Sequence, residues 1–130
     1  MTDYSVTIRT LGTAGEKYQR TLNSIAKQTI PPKEIIVVLA EGYPIPSENL
    51  GWEKFVYAPK GMVTQRIVGF NVCKSELLLA LDDDVEFEPD FVASLIDTMQ
   101  RTNADFVSPV VKEYNNTGGV NVETLLLIGF

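Results

Sequence analysis

The sequence predicts an α/β fold with three layers and a mostly parallel sheet. Short apolar runs alternate with segments in which apolar residues recur at helical spacing, which is the pattern of strands connected by helices. Two of the runs, EIIVVL and LLLAL, are continuously apolar, as in strands that are buried on both faces. In such sheets ligands bind beyond the carboxyl ends of the strands, so the residues that follow each apolar run are the first candidates for a site.

The elements are expected in the order β-α-β-β-α-β-α-β, without internal repeats. The predicted strands span Tyr4–Thr10, Glu34–Leu39, Phe55–Tyr57, Leu77–Leu81 and Phe106–Val111. The first helix is predicted to open with a capping box formed by Thr13 and Glu16 and to end before Pro31.

Two further helices follow in the second half of the pattern. The second helix carries Val63, Ile67 and Phe70 on one face. The third helix has Pro89 where a first-turn proline belongs, shows a clear amphipathic pattern and ends near Arg101.

The composition is that of a soluble globular protein, and it excludes several kinds of chemistry. The chain has 130 residues and a formal net charge of -6, which argues against nucleic acid as the main partner because phosphate binding needs clustered Lys and Arg. It has no histidine, which excludes a Ser-His-Asp triad and histidine-ligated zinc. The single cysteine, Cys73, excludes an intramolecular disulfide and fits a reducing compartment. No signal-peptide pattern and no apolar run near the roughly 20 residues of a membrane span is present, so a cytoplasmic location is predicted.

Three consecutive aspartates, Asp82 to Asp84, follow the buried run LLLAL. Carboxylates this close repel one another, so they either point into water or surround a cation. The acids further on, Glu86, Glu88 and Asp90, favour the start of the next helix through its dipole, but they do not account for the three aspartates. Carboxylates in this number, without His or Cys nearby, suit Mg²⁺ or Mn²⁺, which take oxygen ligands and often share them with phosphates.

Other phosphate-handling folds fit the sequence less well. The stretch GTAGEK has two residues between its glycines where a P-loop has four, and Tyr18 stands where a P-loop needs Ser or Thr. A haloacid-dehalogenase phosphatase would carry its Asp-x-Asp after the first strand with Thr two places on, whereas Glu86 stands there in this chain. A response-regulator receiver would need an acidic pair after the first strand, where this chain has RTLG.

Four stretches, taken in order, resemble the family-2 glycosyltransferases of the GT-A fold. They are SVTIRT, RTLNSIAKQTIPPKEIIVV, KGMVTQR with Gly69 beyond it, and LLLALDDDV, and they run from Ser5 to about Phe91. The third stretch is similar to the family's Gly-x-x-x-Ala-Arg-Asn-x-Gly segment, and the fourth looks like its strand ending in Asp-x-Asp. Each stretch alone is a weak signal, whereas four in the right order are fairly specific.

The resemblance implies a nucleotide-diphosphosugar donor and an acceptor that is a saccharide, a lipid or a protein. It implies that Asp82 lies near the ribose and the metal, and that Asp84 binds a Mn²⁺ or Mg²⁺ ion that bridges the diphosphate and acts as a Lewis acid. Asp83 ranks third, as a second ligand or an exposed residue. Arg66 would lie near the donor, where a guanidinium suits phosphate recognition, and Lys60 has the same possible role.

The chain departs from the family pattern at positions that concern the donor. The family's Asp-Asp-Gly-Ser after the second strand is replaced by LAEGY, so that only Glu41 is close enough to contact the base. The first strand ends in RTLG instead of the Pro-Thr-Tyr-Asn type, although Thr10 and Leu11 could still offer backbone contacts to the donor. Gln65 and Ile67 replace the small residue and the Asn that flank the arginine.

These features predict a nucleotide-sugar-binding α/β domain over residues 1–112 and a tail over residues 113–130, an interrupted continuation of that domain. We expect the donor-binding half of a longer transferase that moves a sugar to an acceptor hydroxyl by direct displacement. Its catalytic base is unassigned, because no spacing argument favours Asp90, Asp97 or Asp105. Two alternatives stay open: a nucleotidyltransferase, whose usual Gly-rich basic loop is missing, and a non-catalytic receiver-like or degenerate α/β binding module.

Overall fold

The computed structural model describes residues 3–107 and 126–129 of the chain. The strands are β1 (Tyr4–Thr10), β2 (Glu34–Ala40), β3 (Lys54–Ala58), β4 (Leu77–Asp82), β5 (Phe106–Val107) and β6 (Leu126–Gly129). The helices are α1 (Glu16–Ala26), α2 (Met62–Val72) and α3 (Phe91–Thr102). Within these ranges, no helix has the length and apolar character needed to cross a membrane.

The strands form one sheet in the order β3-β2-β1-β4-β6-β5. The first four strands are parallel to one another, while β6 runs antiparallel to both β4 and β5. The predicted α/β class with a mostly parallel sheet is therefore confirmed. In this register Arg9 of β1 lies opposite Asp82 of β4, close to the carboxyl ends of both strands.

One face of the sheet packs against α1 and α3 and forms the larger core. Alternate residues of the central strands, among them Val6, Ile8 and Leu79, point to this side and are fully buried. They meet the apolar faces of the two helices, which include Leu22 of α1 and Val92 of α3. Burial of this continuous apolar surface is the main source of the fold's stability.

The opposite face packs against α2, and it is smaller and more polar. The helix lies close to the sheet at Gly69, where an added Cβ would stand 3.1 Å from Val38 Cγ2 and 3.2 Å from Thr7 Cβ. The buried residues of α2 are Gln65 and Gly69. The apolar stripe predicted for this helix points away from the sheet, since Val63 is 67% exposed and Ile67 is 51% exposed.

Two helix starts differ from the sequence prediction. Helix α1 begins at Glu16 after Gly15, which has a φ of 62°, and no side chain caps it. Thr13 thus lies outside the helix, and the predicted capping box is wrong. Helix α3 begins at Phe91 with Asp90 as the N-cap residue, so Pro89 precedes the helix and is not part of its first turn.

The boundaries of most other elements agree with the prediction. Helix α1 ends at Ala26, before the two prolines, and β2, β3 and β4 extend the predicted strands by one or two residues. The predicted strand after α3 is present as Phe106–Val107, and its remaining residues, 108–111, lie outside the described part of the chain. Strand β6 falls within the apolar run near the carboxyl terminus, where the sequence indicated an interrupted element.

Candidate functional site

The residues singled out from the sequence lie along the carboxyl edge of the four parallel strands. Thr10 and Asp82 are the last residues of β1 and β4, and Leu11, Glu41 and the two following aspartates come directly after β1, β2 and β4. Lys60 lies two residues beyond β3, and Arg66 lies in the first half of α2. The topology therefore brings positions that are far apart in sequence to one edge of the sheet.

Asp82 is held by two arginines. Its Oδ1 atom lies 2.9 Å from Nη2 of Arg9 and 3.6 Å from Nη2 of Arg66. The carboxylate is 14% exposed, and the two guanidinium side chains are 25% and 28% exposed. These ion pairs are shielded from water more than surface pairs are, so each charge acts strongly on its partners.

Asp83 is tied to the end of the first strand. The hydroxyl of Thr10 donates a hydrogen bond of 2.6 Å to Oδ2 of Asp83 and accepts one of 2.9 Å from the backbone N–H of Gly12. Thr10 is 2% exposed, so its side chain fixes both the turn after β1 and the middle aspartate. Its backbone carbonyl is already used by another side chain, Gln65.

Asp84 differs from Asp82, which is paired with two arginines, and from Asp83, which accepts a hydrogen bond from Thr10. Within residues 3–107, no ion pair shorter than 4.0 Å involves this carboxylate. Partial burial raises the pKa of Asp84, and the charges of Asp83 and Asp82 raise it further, while Lys17 acts weakly in the opposite direction. For a carboxylate that is partly buried beside other negative charges, a nearby cation stabilises the ionised form.

Two polar side chains, Thr21 in α1 and Gln28 just after it, fix the segment that follows the aspartates. The hydroxyl of Thr21 donates to the backbone carbonyl of Val85 at 2.8 Å and accepts from its N–H at 3.0 Å. Gln28 donates to the carbonyl of Glu88 at 2.7 Å and accepts from the N–H of Val92 at 3.0 Å. The acidic segment is therefore held against the fold at several points, which is unlike a freely solvated turn.

Gln65 connects the ends of two strands to the start of α2. Its Nε2 donates to the carbonyls of Thr10 and Val38 at 3.1 and 3.0 Å, and its Oε1 accepts from the N–H of Gly61 at 3.3 Å. The side chain is 2% exposed. Because Arg66 is the next residue, these bonds also position its guanidinium beside Asp82.

Lys60, Glu41 and Leu11 lie at the same edge, and within the described residues no hydrogen bond or ion pair joins them to the aspartates. The ammonium of Lys60 lies 5.3 Å from the ring centroid of Tyr43, a cation–π contact. Glu41 is exposed, and its backbone N–H donates to the carbonyl of Ala58. Leu11 is partly exposed in the turn after β1.

Several carboxylates act on Tyr18, a buried residue of α1. Burial raises the pKa of the Tyr18 phenol, and the carboxylates of Glu53, Asp83 and Glu48 raise it further. The Tyr18 hydroxyl is buried and has no hydrogen-bond partner among the residues that the structure describes. The surroundings of Tyr18 are therefore partly acidic, whereas Arg9 and Arg66 lie beside Asp82 at the same edge of the sheet.

The carboxylates do not form a complete metal site by themselves. In residues 3–107 and 126–129, no three Asp, Glu or Cys side chains stand close enough together to hold an ion. The donor chemistry still fits a Mg²⁺ or Mn²⁺ ion, which is commonly bound by one or two carboxylates and completed by waters and substrate phosphates. Of the three aspartates, only Asp82 forms an ion pair within the described residues, and Asp84 is the one whose pKa is raised by burial and by its acidic neighbours.

Sequence reasoning missed Arg9 and the buried role of Gln65. The only signal for Arg9 is a charged residue near the end of an otherwise buried strand, and its partner is evident only from the register between β1 and β4. Gln65 is a polar residue on a helix whose apolar residues suggested a different buried face.

Solved structures with the same fold come from the S. aureus protein TarS. A crystal structure of TarS residues 1–349 matches with a TM-score of 0.67 and 19% identity, covering 88% of this chain and 37% of that one. The same TarS segment in complex with UDP-GlcNAc matches with a TM-score of 0.62 and 20% identity, covering 88% and 36%. This chain thus spans little more than a third of the length of these TarS chains. Among curated proteins, none matches the chain.

The family model for glycosyl transferase family 2 matches residues 54–127, more than half of the chain. The matched range contains α2 with Arg66 and β4 with the three aspartates. The chain therefore belongs to glycosyl transferase family 2.

Proposed function

We propose that this chain is the donor-binding part of a glycosyltransferase, which transfers a sugar from a nucleotide-diphosphate sugar to an acceptor hydroxyl. The observation that carries the proposal is the meeting of Asp82–Asp84 and Arg66 at the carboxyl edge of a parallel sheet in a family-2 chain. Ligands of α/β sheets bind at this edge. The TarS complex with UDP-GlcNAc supports a nucleotide sugar as the ligand.

The donor site would extend over the loops after β1, β2, β3 and β4. Arg66 would bind the diphosphate, because a guanidinium matches phosphate oxygens in both charge and geometry. The sequence prediction gives the other donor contacts to Thr10, Leu11, Glu41, Lys60, Asp82 and Asp83. The α/β domain of residues 1–112 would then be the donor-binding unit, and the acceptor, whether saccharide, lipid or protein, is left unassigned.

A divalent cation, Mn²⁺ or Mg²⁺, would be held mainly by Asp84, with Asp82 as the second candidate ligand. When bound, it would neutralise the charge of the departing nucleoside diphosphate. Asp82 already faces two arginines, and its share in metal binding would compete with those ion pairs. Burial and the neighbouring aspartates raise the pKa of Asp84, and a bound divalent ion would stabilise its charged carboxylate.

The test is thermal unfolding of the protein in the presence of UDP, GDP, ADP or CDP, each with Mn²⁺, Mg²⁺ or EDTA. A ligand at about 100 times its dissociation constant stabilises a fold by roughly 2.7 kcal/mol, which is a shift of several degrees. We expect one diphosphate to stabilise the protein, and to do so more strongly with metal.

Asp84→Asn should lose the metal-dependent part of this stabilisation while the fold stays intact. The matched control is Asp97→Asn, an exposed aspartate on α3 that pairs with Arg101, which should bind like the original protein. Equal nucleotide affinity of Asp84→Asn and the original protein in the presence of metal would reject the metal assignment. In the complete enzyme, release of nucleoside diphosphate identifies sugar transfer, whereas release of pyrophosphate would identify nucleotidyl transfer.

A further inference from the structure

Arg9 is an unusual residue for its position in the fold. It lies in β1, the strand between β2 and β4, where the other six residues are all buried and uncharged. Placing a guanidinium in a central strand is costly unless it is paired. Asp82 supplies that pairing directly across the strands, at 2.9 Å.

Two guanidinium groups share one carboxylate oxygen. Asp82 carries one negative charge, whereas Arg9 and Arg66 together carry two positive charges around the same Oδ1 atom. Nε of Arg9 and Nη2 of Arg66 are buried and, in the described part of the chain, have no hydrogen-bond partner. A buried N–H without an acceptor is destabilising, so such an arrangement is expected where a ligand supplies the acceptor.

We propose that Arg9 is a second phosphate-binding residue of the donor site, and that it binds the diphosphate together with Arg66. This inference rests on the proposed function. Two guanidinium groups offer several N–H donors in fixed planes, which suits the adjacent oxyanions of a diphosphate. Asp82 then acts as a positioning residue that holds both arginines at the strand ends.

The arrangement has a consequence for metal dependence. The two arginines supply positive charge that does not depend on a divalent ion, so diphosphate binding keeps a measurable component in EDTA. That component is electrostatic and partly buried, and it weakens as the salt concentration rises. Asp84 and its ion contribute the remaining, metal-dependent component.

The experiment measures the affinity of inorganic pyrophosphate and of UDP by isothermal titration calorimetry, in EDTA and in Mn²⁺. The variants are Arg9→Gln and Arg9→Lys, and Arg101→Gln on the exposed surface of α3 is the matched control. We expect Arg9→Gln to weaken both ligands at least about tenfold in EDTA, equivalent to about 1.4 kcal/mol. Arg9→Lys keeps the positive charge opposite Asp82 but loses the planar guanidinium, so its affinity for both ligands should lie between those of the original protein and Arg9→Gln. Arg101→Gln should bind both ligands as the original protein does.

The outcomes separate this inference from the proposed function. If the original protein binds both ligands and Arg9→Gln binds them with the same affinity, the proposed role of Arg9 is overturned. The proposed donor site is not affected by that result. An original protein that binds neither UDP with Mn²⁺ nor pyrophosphate overturns both. Urea unfolding of each variant checks that the fold is intact, and Arg9→Lys, which preserves the ion pair, decides the question if Arg9→Gln does not fold.

Discussion

The two faces of the sheet are built from different chemistry. On the side of α1 and α3, the central strands present apolar side chains such as Val6, Ile8 and Leu79, and the core is continuous. On the side of α2, the same strand β1 presents Ser5, Thr7 and Arg9. One strand therefore contributes to a hydrophobic core with one set of alternate residues and to a polar layer with the other.

The difference indicates a division of roles within one sheet, in which one face provides stability and the other holds charged groups. The apolar face supplies most of the stabilising burial, so the α2 face can hold charged groups at the two ends of the strands. At the carboxyl end these are Arg9, Arg66 and Asp82, and at the amino end Glu34 accepts a hydrogen bond of 2.6 Å from Ser5. The proposed donor site uses the end at which ligands of such sheets bind.

The strongest test of this division compares one truncation on each side. Leu22→Ala on α1 removes a fully buried side chain from the large core, and we expect a loss of about 2–5 kcal/mol in the free energy of unfolding. Ile67→Ala on α2 removes a side chain that is 51% exposed, and we expect a loss of about 1 kcal/mol or less. Urea denaturation measures both, and similar losses in the two variants would refute the comparison.

A medium effect is expected from Gln65→Ala in the polar layer. The change leaves the buried carbonyls of Thr10 and Val38 without these hydrogen bonds, at a cost of about 1–3 kcal/mol in the free energy of unfolding. Because Arg66 would lose its neighbouring anchor, affinity for the nucleoside diphosphate should fall as well. The control is Gln19→Ala, which removes only an exposed hydrogen bond to Asn23 and should stay within about 0.5 kcal/mol. If both variants unfold at the same urea concentration, Gln65 does not hold the layer together.

The contrast between the faces also explains which features the sequence predicts. Continuous apolar runs identify β2 and β4 because strands buried on both faces need apolar residues at every position. The edge of the site follows from these strand ends, so the aspartates and Arg66 were found together. The family match over residues 54–127 confirms the family resemblance, while the roles of individual site residues stay predictions.

The features that the sequence did not predict depend on three-dimensional neighbours. The stripe of Val63, Ile67 and Phe70 suggested the buried side of α2, but the close approach at Gly69 turns Gln65 to the sheet. The partner of Arg9 depends on the alignment of β1 with β4, which are separated by more than 60 residues of sequence. Helical periodicity and strand alternation indicate which face of an element is buried, but they do not show which residues of two distant strands lie opposite each other.

The smallest expected effect concerns the amino end of the polar face and depends on pH. Burial alone would raise the pKa of Glu34, but hydrogen bonds from the Ser5 hydroxyl and the Lys74 backbone N–H, with the charges of Lys54 and Lys74, hold it below its usual value. A carboxyl whose pKa is lowered on folding stabilises the fold above its unfolded pKa, and this contribution is lost as the pH falls through the folded pKa. Glu34→Gln should therefore cost about 1 kcal/mol at pH 7 and nothing once the carboxyl is protonated in the original protein.

Urea unfolding of Glu34→Gln and the original protein between pH 2 and pH 7 measures this difference. The control is Glu16→Gln, which removes an exposed carboxylate whose only ion pair in the described residues is with Arg20, and which should change stability little at any pH. If the gap between Glu34→Gln and the original protein closes as the pH falls below the usual carboxyl range, the buried carboxylate stabilises the polar face in its charged form. If the gap is the same at every pH, the loss is one of shape or packing, and the charge of Glu34 contributes nothing to holding the α2 face on the sheet.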